Sequence, residues 1–203
     1  MNDWFELHDA HRALRATGGS SLSDIRRVLR RLIESGHAES SLFNRFTYSK
    51  NPHTGLREWR IAAPRGKDRK DWSEPLKKLA PNLAEASLTV LALTDSANER
   101  LGQLTVMLEG RSVTRKPFSR SVTRKPFIVA AHLDDRHMGS GACGHALFHC
   151  HVGPSFKAMP EVRVPLPALK PAAALEWALS VVLPDWEPVP WHEVIAHANR
   201  QGT

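Results

Sequence analysis

Histidine and cysteine side chains are concentrated in one short stretch of the chain, between His132 and His151. The stretch, H-L-D-D-R-H-M-G-S-G-A-C-G-H-A-L-F-H-C-H, holds five of the eleven histidines and both cysteines. Imidazole and thiolate groups bind transition metals, and they also act as bases and nucleophiles in catalysis. The stretch is therefore the first candidate for a functional site.

The end of this stretch, residues 144–152, has the pattern of a β-strand that follows a glycine-rich turn. Side chains alternate between the two faces of a strand, so His145, His149 and His151 share one face. The other face is apolar, which predicts that Cys150 is a buried and unreactive thiol. His149 and His151 have Cα atoms about 7 Å apart on one side, so both can bind the same metal ion.

The metal hypothesis adds two more ligands, because the glycine-rich turn of residues 138–144 can fold the chain back onto the strand. The predicted metal ligands are His149, His151, His132 and His137. Zinc is the expected ion, since histidine and cysteine are borderline-soft ligands. Zinc that keeps a bound water lowers the pKa of that water, which predicts a metal-assisted hydrolase acting on an acidic or nucleic-acid-associated substrate.

Two alternatives explain the same stretch without a metal. In the first, the Cys143 thiol is activated by His145, and Asp134 or Asp135 orients the imidazole, as in a catalytic triad. A β-meander followed by a cysteine and helices resembles the order in E2 ubiquitin-conjugating enzymes, and it implies cysteine-based acyl or ubiquitin-like transfer. The His-Pro-Asn motif of that family is absent from the sequence. In the second alternative, the histidines are solvated on an exposed sheet face and have no special chemistry.

The composition is that of a globular protein with a basic N-terminal part. The chain has 203 residues, of which 41% are hydrophobic and 24% charged, and this suits one compact domain or two small ones. It has no apolar run of membrane-spanning length, no signal peptide and no disulfide framework, so we expect a cytoplasmic protein that does not bind membranes. The net charge is +7, and residues 1–80 contribute +6 of it. This excess predicts a nucleic acid or an acidic protein as partner.

Residues 1–72 are predicted to form a basic module of helices and a hairpin. A helix is expected over residues 3–16 and a second one over 22–35, and the turn at 51–55 separates two alternating segments that predict a β-hairpin. The order of a helix, an arginine-lined helix and a hairpin resembles that of winged-helix domains, and it implies a nucleic-acid-binding or adaptor protein. The predicted nucleic-acid contacts lie on the second helix and are Arg26, Arg27, Arg30 and Arg31.

Residues 73–203 are predicted to form a β-rich domain, which a charged linker at 63–75 joins to the first module. A short helix is expected over residues 75–86, and helices are expected at 171–182 and 191–201. The short connections between the strands favour an antiparallel meander, so the predicted fold class is α+β. The predicted strands cover residues 88–94, 101–108, 126–133, 144–152 and 162–166.

The sequence R-S-V-T-R-K-P-F occurs twice, at residues 111–118 and 120–127, with a period of nine. Within one strand, an odd shift would turn the second copy to the opposite face, so one copy is expected to loop out of the sheet. We favour a tandem duplication that is tolerated in a surface loop. The alternative is a functional cationic loop, because no acidic residue occurs between Glu109 and Asp134.

Overall fold

The computed structural model of the chain describes residues 21–50, 52, 55–62, 73–94, 101–115, 122–134, 148–154, 163–165 and 171–188. The predicted helices at 3–16 and 191–201, and most of the predicted linker, lie outside the described residues.

The described chain is an α+β structure in which a single antiparallel sheet is combined with three helices. The helices are α1 (Ser21–Glu34), α2 (Leu42–Arg45) and α3 (Pro171–Val182). The strands are β1 (Phe46–Lys50), β2 (Arg57–Ile61), β3 (Glu74–Pro75), β4 (Leu83–Thr94), β5 (Leu101–Arg115), β6 (Val122–Asp134), β7 (Phe148–Gly153) and β8 (Arg163–Pro165).

The strand order is β1-β2-β4-β5-β6-β7-β8, and all strand pairs are antiparallel. One edge of β4 is shared by two strands, because β2 pairs with residues 91–94 and β3 pairs with residues 87–88. The predicted β1–β2 hairpin is confirmed, and its pairs include Phe46 opposite Ile61 and Tyr48 opposite Trp59. The sheet therefore runs across residue 72, and the division of the chain into two domains at this residue stays a prediction.

The predicted helix at 75–86 is wrong. Pro75 belongs to β3, a turn follows at residues 81–82, and β4 begins at Leu83. The physical reason is the alternating burial along β4, in which Ala86, Leu88 and the following even-numbered residues are buried while the odd ones are partly exposed. This period of two extends further back along the chain than the apolar run from which the strand was predicted.

The hydrophobic core lies between the helices and one face of the sheet. The buried stripe of α1, which includes Ile25, Leu29 and Leu32, belongs to the same apolar cluster as Leu175 and Leu179 of α3. The sheet contributes alternating residues that share one face of the central strands and are fully or almost fully buried, namely Leu88, Val90, Ala92, Leu104, Val106 and Leu108. The confirmed helices α1 and α3 thus cover one face of the sheet.

A buried ion pair joins α2 to β3. Nη1 of Arg45 lies 2.6 Å from Oε2 of Glu74, and the backbone N–H of Glu39 donates to Oε1 of Glu74 over 2.9 Å. Arg45 also donates through Nε to the carbonyl oxygen of Ala62, 3.0 Å away, at the end of β2. Glu74 is fully buried, and this burial raises the pKa of its carboxyl group although Arg45 and the N–H of Glu39 act in the opposite direction.

The first prediction concerns the pH dependence of stability. Because the pKa of Glu74 is raised in the folded state, the folded state holds this proton at pH values where the unfolded state has lost it. The contribution of Glu74 to the free energy of unfolding therefore rises as the pH falls through the raised pKa, and it levels off below the unperturbed value of 4.5. Urea unfolding at a series of pH values should show the wild type gaining stability relative to Glu74→Gln as the pH falls through this window.

The control for this experiment is Glu34→Gln, because Glu34 is exposed. A stability advantage of the wild type over Glu74→Gln that grows with rising pH would contradict the raised pKa of Glu74.

The second prediction concerns Gly110, where β5 passes very close to β4. A Cβ atom at Gly110 would lie 2.0 Å from the carbonyl oxygen of Glu85, and backbone atoms cannot move aside cheaply. A register shift in the β4–β5 pairing lies next to this contact, between Leu83 and Glu85. Gly110→Ala should lower the free energy of unfolding by about 1–3 kcal/mol, the usual cost of overpacking.

The matched control for this change is Gly153→Ala on β7, since a Cβ atom there meets nothing within 4 Å. Chemical unfolding of both variants should show a loss for Gly110→Ala alone. Equal stability of the two variants would contradict the close approach of β4 and β5.

Candidate functional site

Three histidines meet on two neighbouring strands of the sheet. His132 of β6 lies directly opposite His149 of β7, and His151 lies opposite Ala130. Ala131 precedes His132 and Cys150 lies between His149 and His151. Both residues point to the other face of the sheet and are buried in the core. Strand alternation therefore places the three imidazoles together on the face that is opposite the hydrophobic core. We call these three residues the histidine cluster.

The rings of the histidine cluster are in mutual contact. Nε2 of His149 lies 3.1 Å from Nε2 of His151, and the centroids of these two rings are 5.0 Å apart. The centroid of His132 is 5.0 Å from that of His151 and 5.6 Å from that of His149, on which it stacks. All three residues are partly buried, so the imidazoles are neither hidden in the core nor fully solvated.

Thr105 of β5 is a further residue of this site, and no motif in the sequence points to it. It lies opposite His132 in the β5–β6 ladder, and its Oγ1 is 3.2 Å from Nδ1 of His132. When Nδ1 of His132 donates to this hydroxyl, the lone pair of the ring is on Nε2. The only signal for Thr105 is the register of two strands, and the sequence shows the strands without their register.

The other predicted site residues are only partly described. His137, Cys143 and His145 lie outside the described residues, and of Asp134 only the backbone is described, at the end of β6. Among the residues that the structure describes, no group of three or more His, Cys, Asp or Glu side chains is placed so that it could hold a metal ion. The metal ligands and the thiol mechanism both stay predictions. Cys150 is confirmed as a buried residue, at 3% exposure.

The four arginines of α1 differ in their environments. Arg31 pairs with Glu176 of α3 over 2.7 Å and lies over the ring of Trp186, with its Cζ 4.7 Å from the ring centroid. Arg26 lies over the ring of Trp59, with its Cζ 5.0 Å from the centroid. The side chain of Arg27 is 66% exposed, and Arg30 is exposed as well while it contacts the ring of Phe43. Two of the four predicted nucleic-acid contacts are therefore engaged within the protein, and two lie at its surface.

Comparisons of the chain with protein-family models, with curated proteins and with solved structures found no match. No helix in the described part of the chain combines the length and the apolar character needed to cross a membrane.

The third prediction separates the structural from the exposed arginines of α1. Arg31→Ala removes the ion pair to Glu176, which is only 4% exposed, together with a hydrogen bond from Nη2 to the carbonyl oxygen of Glu187. The free energy of unfolding should fall by about 1–3 kcal/mol, because a buried carboxylate loses a charged donor. Arg27→Ala is the control, and it should stay within about 0.5 kcal/mol of the wild type. Urea denaturation tests both, and an equal effect of the two variants would show that Arg31 does not anchor α3.

Proposed function

We propose that the histidine cluster is a zinc site, and that the protein is a metal-assisted hydrolase built on an antiparallel sheet. The observation that carries the proposal is the convergence of His132, His149 and His151 from two strands onto one face of the sheet. Three histidines with a water in the fourth position are one of the ligand sets of catalytic zinc. They are three of the four ligands that the sequence predicts.

The spacing of the imidazole nitrogens supports this proposal. Two nitrogen ligands of a tetrahedral zinc ion lie about 3.3 Å apart, since each Zn–N bond is about 2.0–2.1 Å long. Nε2 of His149 and Nε2 of His151 are 3.1 Å apart, so a small rotation of the rings makes room for the ion between them. The ring of His132 stacks on that of His149, and it must rotate before its Nε2 faces the same point.

Thr105 would then act on the metal through His132. A histidine ligand commonly donates its second ring N–H to an oxygen, and this fixes the ring and makes it more basic. The hydroxyl of Thr105 lies where such an acceptor is needed, 3.2 Å from Nδ1 of His132. Zinc bound in this way would supply a water of lowered pKa for hydrolysis, and an acidic or nucleic-acid-associated substrate fits the basic charge of the chain.

The fourth prediction is that protein purified without a histidine tag contains about one zinc per chain by elemental mass spectrometry. A chelator should lower the melting temperature, because a metal bound to the folded state stabilises that state. His149→Ala and His151→Ala should lose the zinc, and Thr105→Val should weaken its affinity by about 10–100-fold. Val152→Ala is the control, since Val152 lies on the same strand, is exposed and points to the other face.

Two outcomes would reject parts of this proposal. Zinc content that is the same in the wild type and in His149→Ala would reject the site. Zinc binding without hydrolysis of an activated ester or phosphodiester, compared with His149→Ala as the blank, would reject the hydrolase and leave a structural metal.

We propose nucleic-acid binding as a second candidate function, with a winged-helix-like arrangement of residues 1–63. It is supported by the exposed side chains of Arg27 and Arg30 on α1 and by the β1–β2 hairpin that follows in the chain. In this case the protein is a non-catalytic binding or adaptor subunit. Replacing Arg27 and Arg30 with glutamate should then abolish nucleic-acid binding and leave zinc content unchanged.

A further inference from the structure

The two copies of the repeated segment face each other across the β5–β6 hairpin. Residues 111–115 of the first copy pair with residues 122–126 of the second, and the connection at 116–121 lies outside the described residues. The expectation that one copy loops out is therefore wrong, since both copies are in strands. An odd period reverses the face only within a single strand, whereas here the chain turns back between the copies. We call the described residues 111–115 and 122–127 the basic arm.

The basic arm is pseudo-symmetric. Thr114 pairs with Thr123, which is the same position of the repeat in the other copy. The neighbouring pairs are Val113 with Arg124 and Arg115 with Val122. Each of these two pairs joins the valine of one copy to the second arginine of the other copy, so the two pairs are equivalent. A local two-fold axis through the Thr114–Thr123 pair therefore relates the two strands in sequence as well as in backbone.

The basic arm carries positive charge and has no acidic residue of its own. It contains four Lys and Arg residues, namely Arg111, Arg115, Arg124 and Lys125, and no Asp or Glu occurs from residue 110 to residue 133. Its charge of +4 exceeds the net charge of +1 for the whole part from residue 81 to 203. Arg111 forms an ion pair with Glu85 over 3.0 Å, but both side chains are more than half exposed, so the pair holds Arg111 only weakly.

The end of the arm leaves the sheet as a two-stranded ribbon. The β4–β5 pairing ends at Ser112, and the β6–β7 pairing ends at Ile128. Beyond these points, one described hydrogen bond ties the ribbon to the chain before β4. In it, the N–H of Val113 donates to the carbonyl oxygen of Asn82 over 2.7 Å. Residues 122–126 are all exposed, including Val122 at 52%. The ribbon thus offers both faces to a partner.

We propose that the basic arm binds double-stranded DNA. The major groove of B-form DNA admits a two-stranded β-ribbon, whereas the major groove of A-form RNA is too narrow and deep. The two backbones of DNA are antiparallel and related by two-fold axes. A ribbon with the same symmetry therefore presents equivalent cations to the phosphates of both DNA strands. Arg115 and Arg124 are the equivalent arginines of the two copies, and their residue pairs flank the Thr114–Thr123 pair. Arg111 lies diagonally from Arg124 on the same face of the ribbon, and Lys125 lies on the other face.

The fifth prediction concerns the salt dependence of binding to a labelled DNA duplex, measured by fluorescence anisotropy with a chelator present. Each phosphate contact makes the affinity fall about 3.5-fold between about 50 and 200 mM salt. Arg124→Ala combined with Lys125→Ala should reduce the slope of log affinity against log salt by about 2. The chelator removes any zinc, so this test does not depend on the histidine cluster.

A single-copy variant gives a second and larger change. Deletion of residues 111–119 leaves Gly110 followed by the same sequence, R-S-V-T-R-K-P-F, and it removes three of the six Lys and Arg residues that the sequence has between residues 111 and 127. The pairing of residues 103–109 with 128–134 can remain, so the sheet is kept. The salt slope should fall by about 3, while circular dichroism and the melting temperature show that the variant is folded.

The control is Lys77→Ala combined with Lys78→Ala, which removes the same charge from exposed positions outside both the arm and residues 1–63. This control should bind DNA as the wild type does. Equal losses in the control and in the arm variants would overturn the proposal, as would an unchanged slope in the single-copy variant. Affinity for duplex RNA, or for vesicles of phosphatidylcholine and phosphatidylserine, that equals the affinity for DNA would also overturn it.

Discussion

The ladder between β5 and β6 is the constraint on which the other features depend. It runs through thirteen successive residue pairs, from Gln103 opposite Asp134 to Arg115 opposite Val122. At one end it sets Thr105 opposite His132, and the pairing of β6 with β7 places His149 on the other side of His132. At the other end it aligns the two repeat copies. A slip of one residue would turn His132 into the core and would separate the equivalent threonines of the repeat.

Two buried carboxylates join parts of the chain that are distant in sequence. Glu74 holds Arg45, and Glu176 holds Arg31. Each carboxylate is almost fully buried, and a buried carboxylate is stable only when a charged partner and hydrogen bonds replace its water. Each pair therefore specifies which helix packs against which neighbour more than it adds to stability. The arginines of α1 differ in this respect, since Arg31 pairs with Glu176 and positions α3 while Arg27 remains at the surface.

The elements with a strong period could be predicted from the sequence, and their mutual arrangement could not. The apolar stripe of α1 and the alternating sequence of β1 and β2 are local patterns, and the structure confirms the helix and the two strands that they predict. The predicted helix at 75–86 failed because the strand pattern of β4 begins before its purely apolar run. For the site, His149 and His151 are related by spacing alone, but Thr105 is related to His132 only by register, which depends on long-range pairing.

The location of the repeat at the tip of a hairpin has a consequence for how this chain can change in length. Residues inserted at a tip extend both strands equally, so the register of the earlier pairs is preserved. A nine-residue unit inserted in the middle of β4 or β7 would instead reverse the face of every residue beyond it. Each further copy at the tip would lengthen the ribbon by about 15 Å, at about 3.3 Å per residue on each strand. The reach of the ribbon is thus a quantity that evolution can adjust in steps, without repacking the core or moving the histidines.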